Sequence, residues 1–298
     1  MVVAALFYAF YAAFVKYAGF EGIGSWEILF FRSFFGVVIF YFVMRFSGIT
    51  ITTHHPWQHT IRSLAGTLSI LCGIYSVSHL NIGLAMTLNY TSPLFIGTYV
   101  LTTSLFHHAR VNWGLMAMVL FGFVGVVIML GPTIGPHEYY AALVGLSAGF
   151  FTATATTFVK RLGVLHEPES RIIFYLVSVG TICGLSGTIL TGGFHSWTAS
   201  GACFILGLCI CATGGQFCLT RAFSRGNLVL SSSLQYTVIL FSTILGEIAF
   251  MEPVTIPVVV GMLIIVFSGL MSSYFVRKEM RKKLAEHQKA VAKVYAPH

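Results

Sequence analysis

Leu88-Asn89-Tyr90-Thr91-Ser92-Pro93-Leu94-Phe95 has a counterpart far downstream in Leu234-Gln235-Tyr236-Thr237-Val238-Ile239-Leu240-Phe241. The leucines, tyrosine, threonine and phenylalanine recur at one constant offset, which also carries Ser78 onto Ser224 and Asn81 onto Asn227. A slightly smaller offset takes Phe14-Val15-Lys16 onto Phe158-Val159-Lys160, and Gly36 onto Gly180. Near the end, Phe123 and Gly125 fall on Phe267 and Gly269. Matches that keep their order along both halves mark a duplication, whereas a shared short motif would give one isolated match. The chain is therefore read as two copies, residues 1–135 and 136–276, followed by a basic tail, 277–298.

Composition gives the class. The chain is 56% hydrophobic and 9% charged, and it contains no Asp. A soluble domain carries about 25% charged residues, so this is an all-α polytopic membrane protein. A crossing needs about 20 apolar residues. Gly, Pro, His and charge clusters divide the chain into ten such spans: 2–18, 25–46, 60–80, 84–106 and 113–130, then 140–161, 169–191, 197–221, 228–251 and 255–276. The first run has no basic n-region and no small-residue cleavage site, so it reads as a crossing helix and not as a signal peptide.

The net charge of +8 does not point to nucleic acid, because much of the excess lies in the tail, at Arg277, Lys278, Arg281, Lys282 and Lys283. A basic segment directly after a span suits the anionic lipid surface. All six cysteines (Cys72, Cys183, Cys203, Cys209, Cys211, Cys218) lie inside apolar runs without a CxxC, and read as small buried residues. No metal and no cofactor is expected. Walker A, HExxH and GxSxG signatures are absent, and no span carries a midplane carboxylate.

Charge fixes the orientation. With the N-terminus inside, the cytoplasmic loops collect Arg45, Arg62, Arg110, Lys160, Arg161, Arg171, Arg221 and Arg225. The other face holds Lys16 beside Glu21, Glu138 and Glu252. Both termini are then cytoplasmic. An odd number of spans per copy makes the two copies enter the membrane from opposite sides, giving two inverted five-helix repeats.

At this point the chain resembles the drug/metabolite transporter superfamily, specifically its ten-helix exporters built of two EamA-type repeats. The resemblance rests on Asn81-Ile82-Gly83, Tyr90-Thr91-Ser92-Pro93-Leu94 and the glycines Gly122 and Gly125 in the first copy. In the second it rests on Gly226-Asn227, Tyr236-Thr237, Glu252-Pro253, Gly261 and Gly269. Arg32 within Phe-Phe-Arg-Ser-Phe-Phe also fits, whereas His107-His108 stand where the pattern has an acidic residue. The resemblance implies a transporter of the bacterial inner membrane that exports small metabolites, amino acids foremost. Uptake of a nucleotide-like metabolite such as S-adenosylmethionine, or drug export, are its alternatives. A membrane-embedded enzyme would need a reactive cluster, for which only His54, His55, His59 and His107-His108 are available. The expected partners are a small-molecule substrate and the bilayer, and a monomer is expected before a dimer.

The candidate substrate-binding residues come from matched polar positions. Asn89, Ser92, Tyr99 and Thr103 recur at helical spacing on span four, and Ser231, Gln235 and Ser242 on span nine, with Tyr236 beside them. Polar groups facing hydrocarbon are costly, so each stripe should face a neighbouring helix or water. Interhelical hydrogen bonding is the plain reading. The matched copies near mid-span favour a cavity instead. Pro93 should kink or unwind span four, and with Ile239 in its place on span nine the bend should be asymmetric. Tyr8, Tyr11 and Tyr75 are candidate cavity lining, and His79 shares a face with Tyr75. Arg32 and Glu247 are a candidate gating or charge pair, while Lys16 and Lys160 should close their helices at opposite interfaces. Gly145 with Gly149, and Gly180 with Gly184, should be helix contacts.

Overall fold

The computed structural model describes residues 1–106, 113–130, 135, 138–196, 198–225 and 234–294. The readings placed on His107, His108, Arg110, Trp197, Gly226, Asn227 and Ser231 lie outside these. In the first copy the helices are α1 (Val2–Phe20), α2 (Ser25–Phe46), α3 (Pro56–His79), α4 (Ile82–Asn89), α5 (Ser92–Phe106) and α6 (Trp113–Leu130). The second has α7 (Tyr139–Val164), α8 (Glu169–Leu190), α9 (Ala199–Arg225), α10 (Thr237–Phe250) and α11 (Ile256–Val294). Among the described residues, seven helices are long and apolar enough to cross a membrane. The shorter pieces complete the ten spans, with α4 and α5 forming one broken crossing. The last helix does not stop at the lipid boundary, and α11 continues through the basic segment.

Packing between helices follows the repeat. Exchanging the copies turns α1 into α7, α2 into α8, α3 into α9, α4 with α5 into α10, and α6 into α11. Under that exchange the α1–α9 contact becomes α7–α3, and α1–α10 becomes the contact of α7 with α4 and α5; α2–α8 and α6–α11 map onto themselves, and all of them are present. The bundle therefore has a pseudo-two-fold axis, the arrangement expected of inverted repeats.

Small residues allow the close contacts. A methyl group on Gly180 would meet Ser33 Oγ at 2.5 Å, and one on Gly184 would meet the Phe30 backbone at 2.6 Å. Both GxxxG pairs thus serve helix packing, as the spacing suggests. Gly149 is the tightest contact on a structural joint, since a methyl there would meet Thr91 Oγ1 at 2.3 Å and the Leu88 carbonyl at 2.9 Å.

That joint corrects one expectation. Span four unwinds, ending at Asn89 and restarting at Ser92, with Pro93 in the first turn of α5. Span nine is broken as well, because α10 begins at Thr237 with Tyr236 in a turn. Both joints carry a threonine. Thr91 Oγ1 donates to the Leu88 carbonyl at 2.7 Å, and Thr237 Oγ1 to the equivalent Leu234 carbonyl at 2.6 Å. A side-chain hydroxyl that satisfies a freed carbonyl makes a break tolerable within lipid. Proline is not needed for it, and the joint is symmetric.

Candidate functional site

A cavity of about 110 Å³ lies between the two copies. Its wall is built in equivalent pairs, at the offsets defined by the repeat: Tyr8 with Thr152, Tyr11 with Ala155, Arg32 with Leu176, Ile70 with Gln216, Gly73 with Leu219, Val77 with Phe223, and Asn89 with Gln235. Both copies thus contribute the same positions of α1, α2, α3 and the broken helix. The side chains at these positions differ, so the cavity is symmetric in backbone and asymmetric in chemistry.

Asn89 comes last in α4, where the break leaves its amide facing inward. Its Oδ1 accepts from Thr152 Oγ1 at 3.1 Å, and Thr152 Oγ1 lies 2.6 Å from Ser69 Oγ. Gly73 makes room, since a methyl there would meet the Asn89 amide nitrogen at 2.9 Å. On the other side, Tyr8 donates to Gln216 Oε1 at 2.9 Å, and Gln216 Nε2 donates to Thr220 Oγ1 at 3.2 Å. The Tyr8 and Tyr11 rings meet edge to face with centroids 6.3 Å apart.

Arg32 donates to Tyr11 Oη at 3.0 Å, with its guanidinium 5.0 Å from the Tyr11 ring centre. It is only 5% exposed, so it does not reach the outer interface. Arg62 is buried more deeply, at 3%, and lines the same cavity. A methyl on Gly66 would meet Arg62 Nη1 at 2.4 Å, so the guanidinium lies in the notch left by that glycine one turn on. Counting Arg62 among the cytoplasmic loop charges was wrong. The expected span, 60–80, already contained it, and with α3 beginning at Pro56 it lies a further turn inside the helix.

Tyr8, Tyr11, Arg32, Asn89 and Gln235 meet in the cavity. The other candidates do not. With the helix broken at Tyr90 and Thr91, Asn89 and Tyr99 no longer share a face. Tyr99 is 59% exposed, on a lateral groove with Phe95, Phe150 and Arg161. Ser92 is buried outside the cavity wall. Tyr75 stacks on exposed His79 at 4.2 Å, and His79 Nδ1 lies 2.8 Å from the Tyr75 carbonyl. Tyr236 packs against Gly269, leaving its equivalent Tyr90 to line the cavity. Ser242 donates to the Ile239 carbonyl at 3.0 Å.

Arg32 and Glu247 form no ion pair among the described residues, and Glu247 is exposed. The buried charge pair is Lys16 with Glu252. Lys16 Nζ also donates to the Leu80 carbonyl at 3.0 Å, and the Ile82 amide donates to Glu252 Oε2 at 2.8 Å. Lys16 therefore ties α1 to the α3–α4 and α10–α11 turns instead of closing a helix at the interface. Besides Arg62, sequence reasoning missed Thr152, Gln216 and Tyr90. Applying the repeat offset to Tyr8 would have found Thr152.

A cavity between two inverted repeats, lined by amide, hydroxyl and guanidinium groups, defines a membrane carrier of small molecules. The sequence profile of the EamA-like transporter family matches residues 1–131 and 139–274, and the chain belongs to that family. It is 26% identical to a pseudopaline exporter of Pseudomonas aeruginosa, over 80% of this chain and 83% of that one. An S-adenosylmethionine uptake transporter of Rickettsia bellii is 25% identical over 90% of each chain. A riboflavin transporter of Rhizobium johnstonii is 30% identical over 62% of this chain and 60% of its own. One solved crystal structure superposes with a TM-score of 0.63 at 14% identity, over 93% of this chain and 96% of its own, a likeness of fold.

Proposed function

We propose that the chain exports a small amino-acid-like metabolite from the cytoplasm across the bacterial inner membrane, by alternating access around the central cavity. The paired wall supports this reading, because both repeats place polar groups at the same level on the axis between them. Asn89, Gln235, Gln216 and the hydroxyls offer donors and acceptors without further buried charge. At about 110 Å³ the cavity is below the ~300–1,000 Å³ of ordinary ligand sites, so loading requires it to widen toward one face. The wall is complete within one chain, which supports a monomeric carrier.

The test is flux through purified protein in proteoliposomes, using labelled amino acids. Saturable flux that unlabelled substrate competes away is expected. A folded protein that moves no member of the panel counts against the reading. Uptake of S-adenosylmethionine is the second reading, favoured by the Rickettsia relative's match along 90% of both chains. Labelled S-adenosylmethionine therefore belongs in the same panel, assayed in both directions.

A further inference from the structure

We propose that the substrate carries two oxyanion groups, one for Arg32 and one for Arg62. The inference rests on the central cavity being the transport site. Both guanidiniums line that cavity, and both are more than nine-tenths buried. No Glu lines it, and the chain has no Asp. Glu252 pairs with Lys16, Glu167 with Arg171 and His59, and Glu169 with Arg225, and none of these glutamates lines the cavity. Arg62 Nε is buried without a hydrogen-bond partner among the described residues. Arg32 has the Tyr11 hydroxyl and ring, which are neutral.

An arginine does not shed its proton to escape burial. A cation inside a membrane protein is expensive and marks a substrate path or a counter-ion. Among the described residues the protein supplies no counter-ion here, and the ligand is the source that transport provides. Guanidinium forks match carboxylates and phosphates in bidentate geometry. A neutral zwitterion fits poorly, because it brings one carboxylate for two guanidiniums. A molecule with two oxyanions neutralises both.

The positions suit one elongated ligand. Helices α2 and α3 run in opposite directions, with Arg32 about 10 Å past the start of α2 and Arg62 about 9 Å past the start of α3. They therefore approach the cavity from opposite faces. Tyr8 lies within electrostatic reach of both guanidiniums, and Tyr11 lies beneath that of Arg32. Both charges come from the first copy, and the repeat partner of Arg32 is Leu176. The charge was added to the symmetric scaffold on one side only.

The experiment melts the purified full chain with millimolar glutamate, 2-aminoadipate, 3-phosphoglycerate, glutamine or lysine at constant ionic strength. The dicarboxylates should raise Tm by roughly a few degrees, and glutamine and lysine should not. Protection by 3-phosphoglycerate alone would keep the proposal and identify one oxyanion as phosphate. Arg62→Gln removes an uncompensated buried charge, so the ligand-free variant should melt no lower than the parent. Its apparent affinity for the protecting dianion should fall about tenfold or more, with part retained in Arg62→Lys. Equal protection by glutamine or lysine, or no protection by any dianion, overturns the proposal. So does an Arg62→Gln chain that melts lower or fails to fold, which assigns Arg62 to packing. Dianion protection without flux in proteoliposomes would overturn the transport reading and leave the oxyanion site standing.

Discussion

Asn89 and Gln235 are equivalent by repeat but differently held, and their replacements should behave differently. Asn89 Oδ1 accepts from Thr152, so Asn89→Leu removes a protein hydrogen bond, a loss of about 1 kcal/mol of stability, together with a cavity-facing amide. Gln235→Leu removes the matching amide on the other wall. Both variants should lose several-fold to tenfold in apparent substrate affinity if the amides hold the ligand. Binding and melting measured on the same samples check this, and lowered stability with intact affinity in both would assign the amides to packing. Gly149 makes a sharper structural case. A methyl there meets Thr91 Oγ1 and the Leu88 carbonyl, and backbone cannot move aside as a side-chain end does. Gly149→Ala should lower stability by about 1–3 kcal/mol, read as a depressed melting temperature.

At the scale of elements, two ionic ties brace the turns between helices. Lys16 and Glu252 join α1 to the α10–α11 turn, at 9% and 8% exposure. Removing one partner strands the other, so Lys16→Met should cost about 3–5 kcal/mol. Lys16→Met with Glu252→Leu should recover part of that in a double-mutant cycle. A purely additive cycle would show that the two charges are not coupled. The second tie lies between α7 and α8, where Glu167 accepts from Thr53 at 2.6 Å and from Arg171 at 2.8 Å. Burial alone would raise the Glu167 carboxyl, but the Thr53 hydroxyl and the Arg171 guanidinium outweigh it and hold the carboxyl below its ordinary value. A depressed carboxyl contributes stability above its unfolded pKa and loses it as pH falls through the folded value. The parent should therefore lose melting temperature in acid more steeply than Glu167→Gln. Parallel curves would show that the tie contributes nothing to acid stability.

For the whole molecule, the repeat and the charge distribution set orientation and energetics together. Reporters fused after Val276 and within residues 192–196 should fall on opposite sides of the membrane. Same-side signals would remove the inverted repeat. The spans carry no midplane carboxylate to relay protons, so transport should run down the substrate gradient, and an imposed pH gradient should have little effect. Accumulation abolished by a protonophore would overturn that. If the substrate is a net anion, its distribution instead follows membrane potential, at about 2.3 kcal/mol per charge per 100 mV. Inside-negative proteoliposomes should then release it faster than depolarised ones.

The duplication and the ten crossings are written in the sequence, because span length and repeat offset are local or periodic, whereas the break at Tyr236, which no proline marks, is not. The cavity wall is only partly legible. Most helices are apolar nearly all round, so in lipid no solvent-facing side reveals which face turns inward. Tyr11, Arg32, Asn89 and Gln235 could be named from the repeat and the family pattern, whereas Tyr99 could not be rejected until the break at Thr91 turned α5 away from α4. Pairing of Lys16 with Glu252 spans 236 residues of sequence, and only the packing of α1 between the two turns brings them together. Arg62 was misread for a related reason. Near a helix end the sequence cannot distinguish a charge that reaches the lipid headgroups from one folded over a glycine notch into the protein's centre, and tertiary packing decides between them.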